Sequence, residues 1–560
     1  MTDTARRLGW KDWLVLIALS ALVLLPGISS IPPVDRDESR YAVATSQMLA
    51  SGDFIDIRFQ DEQRYLQPAG IYWLQSISVA LTGTADDRAI WAHRIPSFLG
   101  ILAAVLMTGW IAAGLYGRMA GFGAALLVAT CFAGGFEARI AKTDAMLLAT
   151  ITASHLALMQ IYLKPQGHWW RPALFWSALG AGMMIKGPII LIFVLLALLA
   201  LVVWDRKFAW LGALKPLWGV PLFLAIALPW YVAIGLVSEG GFYAEAIGDS
   251  LMGKVGESQQ SHAGPPGYYL GLFSLTFWPG SLFFVFAGYW AWANRRDAAT
   301  RYLIAWIVPA WIVYELIATK LPHYVMPVYP AMACLAVAAI FMPGEAKAPL
   351  WVKIGAGVYA ALWLAASGLV AALGPAGLHW AEGHLSPLLV LAGVVIFLAA
   401  AAALLLHVIG RRPMALVAGL VAGGLAVTTV YGATLPRLDT LWLTPRIVAA
   451  VDAHGGCETT RLITSAFREP SLVYRHGPYD TLLAADPADA AVQFATETEC
   501  SLALIDASEA DAFLARAAAL ALNLDAVALI EGQNYSNGDA MSLTLYRAAM
   551  HATDAADGQP

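Results

Sequence analysis

The residues best suited to chemistry lie close together in the segment PPVDRDESRYA at 32–42. Its polar members are Asp35, Arg36, Asp37, Glu38, Arg40 and Tyr41, and they follow an apolar stretch long enough to cross a bilayer. A carboxylate held at a membrane surface can act as a general base, and a neighbouring cation can bind phosphate. The alternative, which composition alone favours, is a solvated loop with an interfacial arginine and tyrosine.

Further ionisable residues stand near the ends of other apolar stretches. They are Arg139, Lys142 and Asp144 in EARIAKTDAML, Lys186 in MIKGPI, and Lys320, His323 and Tyr324 in TKLPHYVMPVYP. Each one alone is typical of a terminal charge or a snorkelling lysine. Ionisable groups at a membrane boundary are costly and tend to mark a substrate path, and these all fall on one side. Together they predict a polar site at that face.

The composition predicts a membrane protein. Of the 560 residues, 59% are hydrophobic and 13% are charged, whereas soluble domains have about 45–50% apolar and about 25% charged residues. The excess of apolar side chains is therefore expected to face lipid. The formal net charge of −5 gives no reason to expect nucleic acid as a partner.

Apolar runs of sufficient length predict about thirteen membrane-spanning helices. The predicted spans are 12–31, 92–115, 119–136, 144–163, 171–185, 188–204, 216–237, 269–293, 301–318, 323–342, 351–374, 385–409 and 413–433. Lys and Arg concentrate in alternate connections, among them those with Arg118, Lys164, Arg206 and Arg411. The positive-inside rule then predicts a cytoplasmic N-terminus, and an odd number of spans places the C-terminal region outside.

Two long loops are predicted on the outer side of a membrane domain that covers 1–434. In the first, 32–91, Tyr41, Ala44 and Met48 recur at helical spacing and predict an amphipathic helix lying in the interface. Residues 54–59 alternate like a short strand, and Pro68 suits the first turn of a helix that runs to about Leu81. The second loop, 238–268, is rich in Gly and Ser.

From 435 to 560 the composition becomes that of a soluble domain. Strands are predicted at 461–466, 471–475, 501–505, 525–530 and 542–547, with helices at 487–498 and 508–522. Alternation of strands and helices predicts a small α/β domain. Cys457 and Cys500 each precede a predicted strand, so a disulfide joins them if the two strands are parallel neighbours. Two unrelated small residues at strand edges are the alternative.

The order of several motifs resembles the bacterial aminoarabinose transferases that modify lipid A, and more distantly the protein O-mannosyltransferases of the GT-C class. The matching segments are DESRYA at 37–42, MLASGDF at 48–54, QPAGIYWLQ at 67–75, ARIAKTDAML at 138–147, IKGPI at 185–189 and KLPHYVMPVYPAMA at 320–333. The resemblance covers most of the membrane region and is only architectural in the C-terminal domain.

The resemblance implies an inverting glycosyltransferase of the bacterial inner membrane, with its C-terminal domain in the periplasm. Its donor would be a sugar on undecaprenyl phosphate or a similar polyprenyl phosphate, and its acceptor lipid A, a core saccharide or another periplasmic glycan or lipid. Asp37 corresponds to the catalytic carboxylate, with Glu38 beside it, and Asp144 to a later acidic residue of the site. The residues expected to bind the donor phosphate are Arg40, Tyr41, Arg139, Lys186, Lys320 and Tyr324.

One departure from the family concerns the residues before Pro68. The family has Glu-Lys there, where the glutamate helps to bind a metal ion and the lysine an anionic group, and this chain has Leu66 and Gln67. No cofactor is therefore expected to be required, and metal dependence and the identities of the sugar and acceptor stay open.

Three other functions compete with this interpretation. A protein O-mannosyltransferase is the rival within the enzyme class. A secondary transporter would place charges at the bilayer midplane and often carries two-fold internal repeats, whereas the charges here cluster at one face. A sensor or assembly factor with a binding domain outside would need only one or two anchoring spans.

Overall fold

The computed structural model describes residues 8–246, 248, 264–342, 348–457, 459–497 and 500–549. These residues form a large helical body followed by a small α/β domain. Most of the predicted second outer loop, 238–268, lies outside the described residues.

The helical body contains eighteen described α-helices, several of them separated by single-residue breaks. They are α1 Trp10–Leu24, α2 Asp37–Ser51, α3 Gly70–Thr82, α4 Ile90–Tyr116, α5 Arg118–Thr130, α6 Phe132–Glu137, α7 Asp144–Leu163, α8 Trp170–Lys186, α9 Ile189–Asp205, α10 Pro216–Val237, α11 Gly241–Tyr243, α12 Tyr268–Thr276, α13 Phe284–Ala293, α14 Ala298–Leu316, α15 Tyr329–Phe341, α16 Leu350–Glu382, α17 Pro387–Val408 and α18 Arg412–Val427. Short 3₁₀ turns cover Ala209–Leu214, Gly280–Phe283, Met326–Val328 and Leu435–Arg437, and a π-helical segment covers Thr428–Thr434.

Six helices of the described chain are long and apolar enough to cross a membrane, and a seventh span results if the pair bent by 120° at 268–293 counts as one. The six are α4, α7, α10, α16, α17 and the helix over Arg412–Arg437. Other predicted spans are apolar helices that are shorter than a bilayer requires, such as α9, or that are interrupted. The run 119–136, for example, breaks at Cys131, where the backbone is extended between α5 and α6. A multi-pass helical fold is established, and the count of thirteen stays a prediction.

The first outer loop is folded and largely buried. The helix predicted around Tyr41, Ala44 and Met48 is α2, but these three side chains are at most 5% exposed. Its Ala42 and Val43 pack against Val473 and Tyr474 of the C-terminal domain. The helix is therefore covered by protein and does not lie in the interface as predicted.

The rest of this loop follows the prediction in part. The helix expected from Pro68 is α3, which runs over Gly70–Thr82. Of the strand expected at 54–59, only β1 (Arg58–Phe59) forms, and it pairs with β2 (Glu62–Gln63) as an antiparallel hairpin. Two residues per strand are too few to stabilise a sheet alone, so the contacts with neighbouring elements must hold this hairpin.

The C-terminal domain is a five-stranded mixed sheet with helices on both faces. Its strands are β3 Arg461–Thr464, β4 Thr481–Leu483, β5 Ser501–Asp506, β6 Leu524–Asn534 and β7 Asp539–Ala548, in the order β4-β3-β5-β7-β6. Its helices are α19 Leu443–His454, α20 Pro470–His476, α21 Pro487–Thr496 and α22 Ala510–Ala519. Leu462 and Leu502 face the core under α19, whereas Ile463 and Ala503 face the core under α21 and α22. The prediction of an α/β domain is confirmed.

One predicted strand is wrong, and one observed strand was not predicted. Residues 471–475 belong to helix α20, and the neighbouring strand is instead β4. A short apolar run does not distinguish a strand from a buried helical turn by its periodicity. Pro470 at the first turn of α20 is the local signal that favours the helix.

The predicted disulfide between Cys457 and Cys500 is present, with the two Cα atoms 6.0 Å apart. The reason is the one that the sequence suggests, because β3 and β5 are parallel neighbours and Arg461 pairs with Ser501 in register. The other two cysteines, Cys131 and Cys334, are free and buried in the helical body.

We expect unreduced, denatured protein to react with maleimide at Cys131 and Cys334 only, and reduced protein to react at all four cysteines. Labelling of Cys457 and Cys500 without reduction would contradict the disulfide.

Cys457→Ser should lower the free energy of unfolding of this domain by about 4 kcal/mol according to the chain-entropy model, since the bond closes a long loop. Cys131→Ser is the matched control for the labelling.

Candidate active site

A cluster of ionisable residues lies where four chain segments meet at one end of the helical body. Asp144 begins α7, and its carboxylate accepts from Lys186 Nζ at 2.6 Å. Lys142 Nζ lies 3.0 Å from Glu137 Oε1 and 3.6 Å from the second oxygen of Asp144. His323 is the fifth member, with its ring nitrogens 3.7 Å from Glu137 and 3.5 Å from Asp144. We call these five residues the lysine–carboxylate cluster.

Local breaks in the helices bring the members of this cluster together. Asp144 occupies the first turn of a helix, where the helix dipole favours a negative charge. Lys186 is the last residue of α8, and Gly187, with a φ of +64°, turns the chain into α9. Such a backbone angle favours glycine over residues with a Cβ. The motif IKGPI thus presents the lysine at a corner between two helices.

Charges within the cluster neutralise one another. Glu137 and Asp144 oppose Lys142 and Lys186, and all four side chains are nearly buried. Buried ion pairs are tolerated because each charge has its partner, and removing one partner leaves an uncompensated charge. The cluster therefore offers hydrogen bonds and a local dipole, but little net charge.

A cavity of about 270 Å³ opens beside this cluster. Asp144, Lys186, His323 and Tyr324 form its polar end. Its wall is mostly apolar and includes Leu147, Met183, Ile189, Ile192, Phe193 and Ile317. A cavity that is polar at one end and apolar along its wall suits an amphipathic ligand.

Asp37 stands apart from these pairs. It is the first residue of α2, its side chain is exposed, and no hydrogen bond or ion pair reaches its carboxylate from the described part of the chain. It lies within electrostatic range of Arg40 and Lys142, and of the Tyr324 hydroxyl. A carboxylate without a partner, close to several cations, is available to accept a proton from a ligand.

Glu38, predicted as a catalytic residue beside Asp37, has a different environment. It is fully buried and forms a bidentate ion pair with Arg94 at 2.7–2.8 Å. Its oxygens also accept from the backbone N–H groups of Val34 and Ala141. Both oxygens are thus occupied, and their contacts tie α2 to α4 and to the segment before α7.

Two of the predicted phosphate ligands point their charges at backbone carbonyls. Arg139 donates to the carbonyls of Val23, Pro26 and Gly135. Lys320 donates to those of Gly264 and Ile317. Neither residue lines the cavity described above. Their contacts lie at helix ends, and phosphate binding by these two residues stays a prediction.

Of the other predicted ligands, Lys186 and Tyr324 line the cavity, with Lys186 Nζ 5.9 Å from the centre of the Tyr324 ring. Tyr41 is buried, and its ring lies 5.3 Å from that of Tyr72 in a tilted arrangement. Arg40 is partly exposed on α2, one turn after Asp37. Arg40, Tyr41, Lys186 and Tyr324 therefore remain candidates for binding the donor.

Sequence reasoning missed three charged residues that shape this region: Glu137, Arg94 and Arg64. Glu137 lies in the motif EARIAKTDAML, and its spacing to Lys142 was the available signal. Arg94 follows the start of a predicted span and reads as an ordinary terminal charge. Arg64 lies in a polar stretch of the first loop that matches none of the motifs.

The residues in place of the family's Glu-Lys pair lie at the cavity. Leu66 and Gln67 both line it, and a leucine offers no ligand to a metal ion. No group of three or more His, Cys, Asp or Glu side chains suited to a metal ion is found among the described residues. The side chains present here do not fit a metal centre of the family's kind.

Comparison with known proteins bears on both the sequence and the fold. Residues 33–238 match the family described as dolichyl-phosphate-mannose-protein mannosyltransferase. The undecaprenyl phosphate-α-4-amino-4-deoxy-L-arabinose arabinosyl transferase of Edwardsiella ictaluri is 28% identical over 58% of this chain and 58% of its own length. The enzyme of the same name from Erwinia tasmaniensis is 28% identical over 65% of this chain and 66% of its own. The matches thus span less than two thirds of these relatives.

The fold agrees over a longer stretch. The crystal structure of ArnT from Cupriavidus metallidurans bound to undecaprenyl phosphate superposes with a TM-score of 0.73 at 20% identity, covering 96% of this chain and 98% of that chain. Its apo structure gives a TM-score of 0.71. The resemblance is confirmed. The chain carries the fold of the Cupriavidus metallidurans ArnT structures over nearly its whole length.

In this fold the C-terminal domain holds the residues directly before Asp37. The N–H of Asp35 donates to the hydroxyl of Tyr535 at 2.6 Å, and Asp35 Oδ1 accepts from the N–H of Ser471 at 3.1 Å. Arg36 donates to the carbonyl of Ser536 and has a φ of +65°. A positive φ is uncommon for a residue other than glycine, and it persists where surrounding contacts hold the backbone in place. The domain therefore fixes the backbone that aims Asp37.

Burial, with the nearby charge of Glu469, raises the pKa of Asp35 from 3.8 to about 6. The folded chain then binds more protons than the unfolded chain between these values, so Asp35 contributes less stability as pH rises from about 4 to about 6. We expect Asp35→Asn, which stays neutral, to gain stability relative to wild type over that range, by up to about 3 kcal/mol.

Thermal unfolding in detergent from pH 4 to pH 7.5 measures this difference. Asp87→Asn, an exposed change away from the contact, should follow the wild-type curve at every pH. If the difference in unfolding temperature between Asp35→Asn and wild type is the same at every pH, the raised pKa of Asp35 is contradicted.

Proposed function

We propose that the chain is an inverting glycosyltransferase that moves a sugar from a polyprenyl-phosphate donor to lipid A, a core saccharide or another acceptor outside the membrane. The observation that carries the proposal is the joint arrangement of an amphipathic cavity and an unpaired carboxylate. The cavity ends at Lys186 and Tyr324, and Asp37 lies within electrostatic range of Tyr324.

The cavity supports a lipid phosphate as donor. Its apolar wall suits the first isoprene units of a polyprenyl chain, and its polar end suits the phosphate and sugar. The names of the relatives specify undecaprenyl phosphate carrying aminoarabinose, and the similar fold from Cupriavidus metallidurans was crystallised with undecaprenyl phosphate. We therefore propose undecaprenyl phosphate, or a lipid like it, as the carrier of the sugar.

The chemistry requires little beyond positioning and charge. Polyprenyl phosphate is a good leaving group, so it needs cations near its oxygens and no proton donor. Removing one such preorganised contact costs about 3–4 kcal/mol of barrier in comparable sites. Asp37 takes the proton of an acceptor hydroxyl as that oxygen attacks the anomeric carbon from the opposite side, which inverts the configuration. Where the acceptor is a phosphate, which is already ionised, Asp37 only orients it.

Asp144 has a supporting role in this proposal. Its carboxylate pairs with Lys186 and lies 3.6 Å from Lys142. It therefore holds the lysines at the polar end of the cavity, rather than acting as a base itself. The catalytic assignment rests on Asp37 alone, with Glu38 and Asp144 as positioning residues.

The orientation in the membrane is part of the same proposal. The charge pattern of the short connections supports a cytoplasmic N-terminus and a C-terminal domain in the periplasm of a bacterial inner membrane. The Cys457–Cys500 disulfide supports the outer location, because disulfides persist in oxidising compartments. The active site then faces the periplasm.

A second candidate is transfer of a sugar to protein. The match of residues 33–238 to the mannosyltransferase family favours it, as does Leu66–Gln67 at the cavity in place of the usual Glu-Lys. Mass spectrometry of lipid A, core saccharide and periplasmic glycoproteins from a deletion strain distinguishes the two. The deletion strain should lack one sugar on a lipid or saccharide under the first proposal, and one sugar on a protein under the second.

We expect Asp37→Asn to lower sugar transfer by about 10²–10⁴-fold, because the amide cannot accept the acceptor's proton. The exposed, unpaired side chain predicts that the variant folds and melts like wild type. Transfer is measured with membranes, labelled donor and acceptor extract, and folding by thermal unfolding in detergent. Asp61→Asn, an exposed change in the same loop, should retain full transfer. Wild-type turnover by Asp37→Asn would remove Asp37 from the mechanism.

A further inference from the structure

Arg64 is a buried cation that none of the motifs includes. It lies between the β1–β2 hairpin and α3, where its backbone N–H donates to the carbonyl of Ile57. Only 7% of the residue is exposed. Its guanidinium lies over the ring of Tyr41, 5.1 Å from the ring centre, and the Tyr41 ring contacts that of Tyr72 in a tilted arrangement. The side chain thus lies against an aromatic pair.

The positive charge of Arg64 lacks a counter-charge in contact. Its Nε is buried without a hydrogen-bond partner, and within the described residues no carboxylate lies at salt-bridge distance from it. Asp37 lies within electrostatic range but forms no ion pair with it. A buried charge without a partner is costly. Such a group within electrostatic range of Asp37 is expected to receive an anion from a ligand.

A second arginine shares this region. Burial, followed by the positive charge of Arg64, lowers the pKa of Arg40. The two guanidinium groups therefore repel one another in the free protein, and an anion between them would relieve that repulsion. The lysine–carboxylate cluster differs, because each of its two lysines already has a carboxylate partner. Within the described residues, Arg40 and Arg64 are cations of this region that have no carboxylate in contact.

We propose that Arg64, with Arg40, binds a phosphoryl group in a subsite next to Asp37. The inference rests on the proposed function and assigns its main anion contact to the arginines rather than to Lys186. The phosphoryl group comes either from the lipid-phosphate donor or from a phosphorylated acceptor, which present the same oxygens. A guanidinium suits them because its planar fork can donate two parallel hydrogen bonds to phosphate oxygens.

The aromatic contacts give Arg64 a fixed orientation. The ring of Tyr41 lies against its guanidinium, a cation–π contact whose planar geometry an ammonium group on a flexible stem does not reproduce. Leu66 and Gln67, two and three residues further along, line the cavity without a charge. Arg64 therefore places a cation in the same chain segment that lacks one at Gln67.

Binding to purified full-length protein in detergent tests the proposal with two probes. Undecaprenyl phosphate reports the donor side, and a short water-soluble phosphate monoester reports the acceptor side. Arg64→Gln removes the charge, and Arg64→Lys keeps it without the planar fork. The control is Arg58→Gln in the same loop, where the arginine is half-exposed and already paired with Asp56.

We expect Arg64→Gln to weaken binding of one probe by about tenfold or more, which is the scale of a lost charge-assisted hydrogen bond. Arg64→Lys should lose less affinity than Arg64→Gln, and Arg58→Gln should bind like wild type.

Weakened undecaprenyl phosphate binding assigns the subsite to the donor, and weakened monoester binding assigns it to the acceptor. Unchanged binding of both probes by a folded Arg64→Gln, while wild type binds the lipid, overturns this inference and leaves the proposed function intact. If Arg64→Gln does not fold, Arg64→Lys decides, and wild-type affinity for both probes overturns the inference. A wild-type chain that binds neither probe overturns both.

Discussion

The buried ion pair between Glu38 and Arg94 is the interaction on which the geometry of the site depends. Both side chains are fully buried, so each charge needs all of its hydrogen bonds satisfied within the protein. Arg94 meets this need by donating to the carbonyls of Ile28, Ile31 and Pro32 as well as to Glu38. The pair thus holds the chain between α1 and α2 against α4. Asp37 precedes Glu38 directly, and its position follows from this constraint.

The same carboxylate connects the two halves of the site. Glu38 accepts from the N–H of Ala141, which lies one residue before Lys142. The segment that carries the lysine–carboxylate cluster is therefore tied to the start of α2. A one-residue shift in either segment would leave a buried charge unpaired, which costs about 3–5 kcal/mol. The distance between Asp37 and the cavity is held by this network of buried hydrogen bonds rather than by a flexible loop.

The C-terminal domain completes the site from the outside. Its α20 packs Val473 and Tyr474 on α2, and Tyr535 and Ser471 hold Asp35. The Cys457–Cys500 bond joins the segments that lead into the central strands β3 and β5 of this domain. Such a domain is expected to limit access of water to the cavity and to keep the strained Arg36 in place. Its described contacts to the first loop include those of Asp35, Arg36 and α2, and those of Gln60, which donates to the carbonyls of Pro478 and Thr481.

The sequence by itself determined the features that depend on local pattern. Apolar length and charge asymmetry indicated the multi-pass fold, turn residues located α3 behind Pro68, and the spacing of Cys457 and Cys500 before two strands predicted their bond. Local pattern located the group of charged residues at 35–41, and the family resemblance singled out Asp37 among them as the candidate base. It did not separate 471–475 as a helix from a strand, because a short buried run has no resolvable period.

Only the tertiary structure decided which charges are free to bind a ligand. Glu38, Arg139 and Lys320 stand in motifs as conspicuous as that of Asp37, yet Glu38 is paired with Arg94 and the other two donate to backbone carbonyls. Arg64 stands in no motif, yet it is a buried cation that has no carboxylate in contact within the described chain and whose Nε has no hydrogen-bond partner. The physical reason is that the availability of a charge depends on partners distant in sequence. Glu38 and Arg94 are 56 residues apart, and Asp35 meets Ser471 across 436.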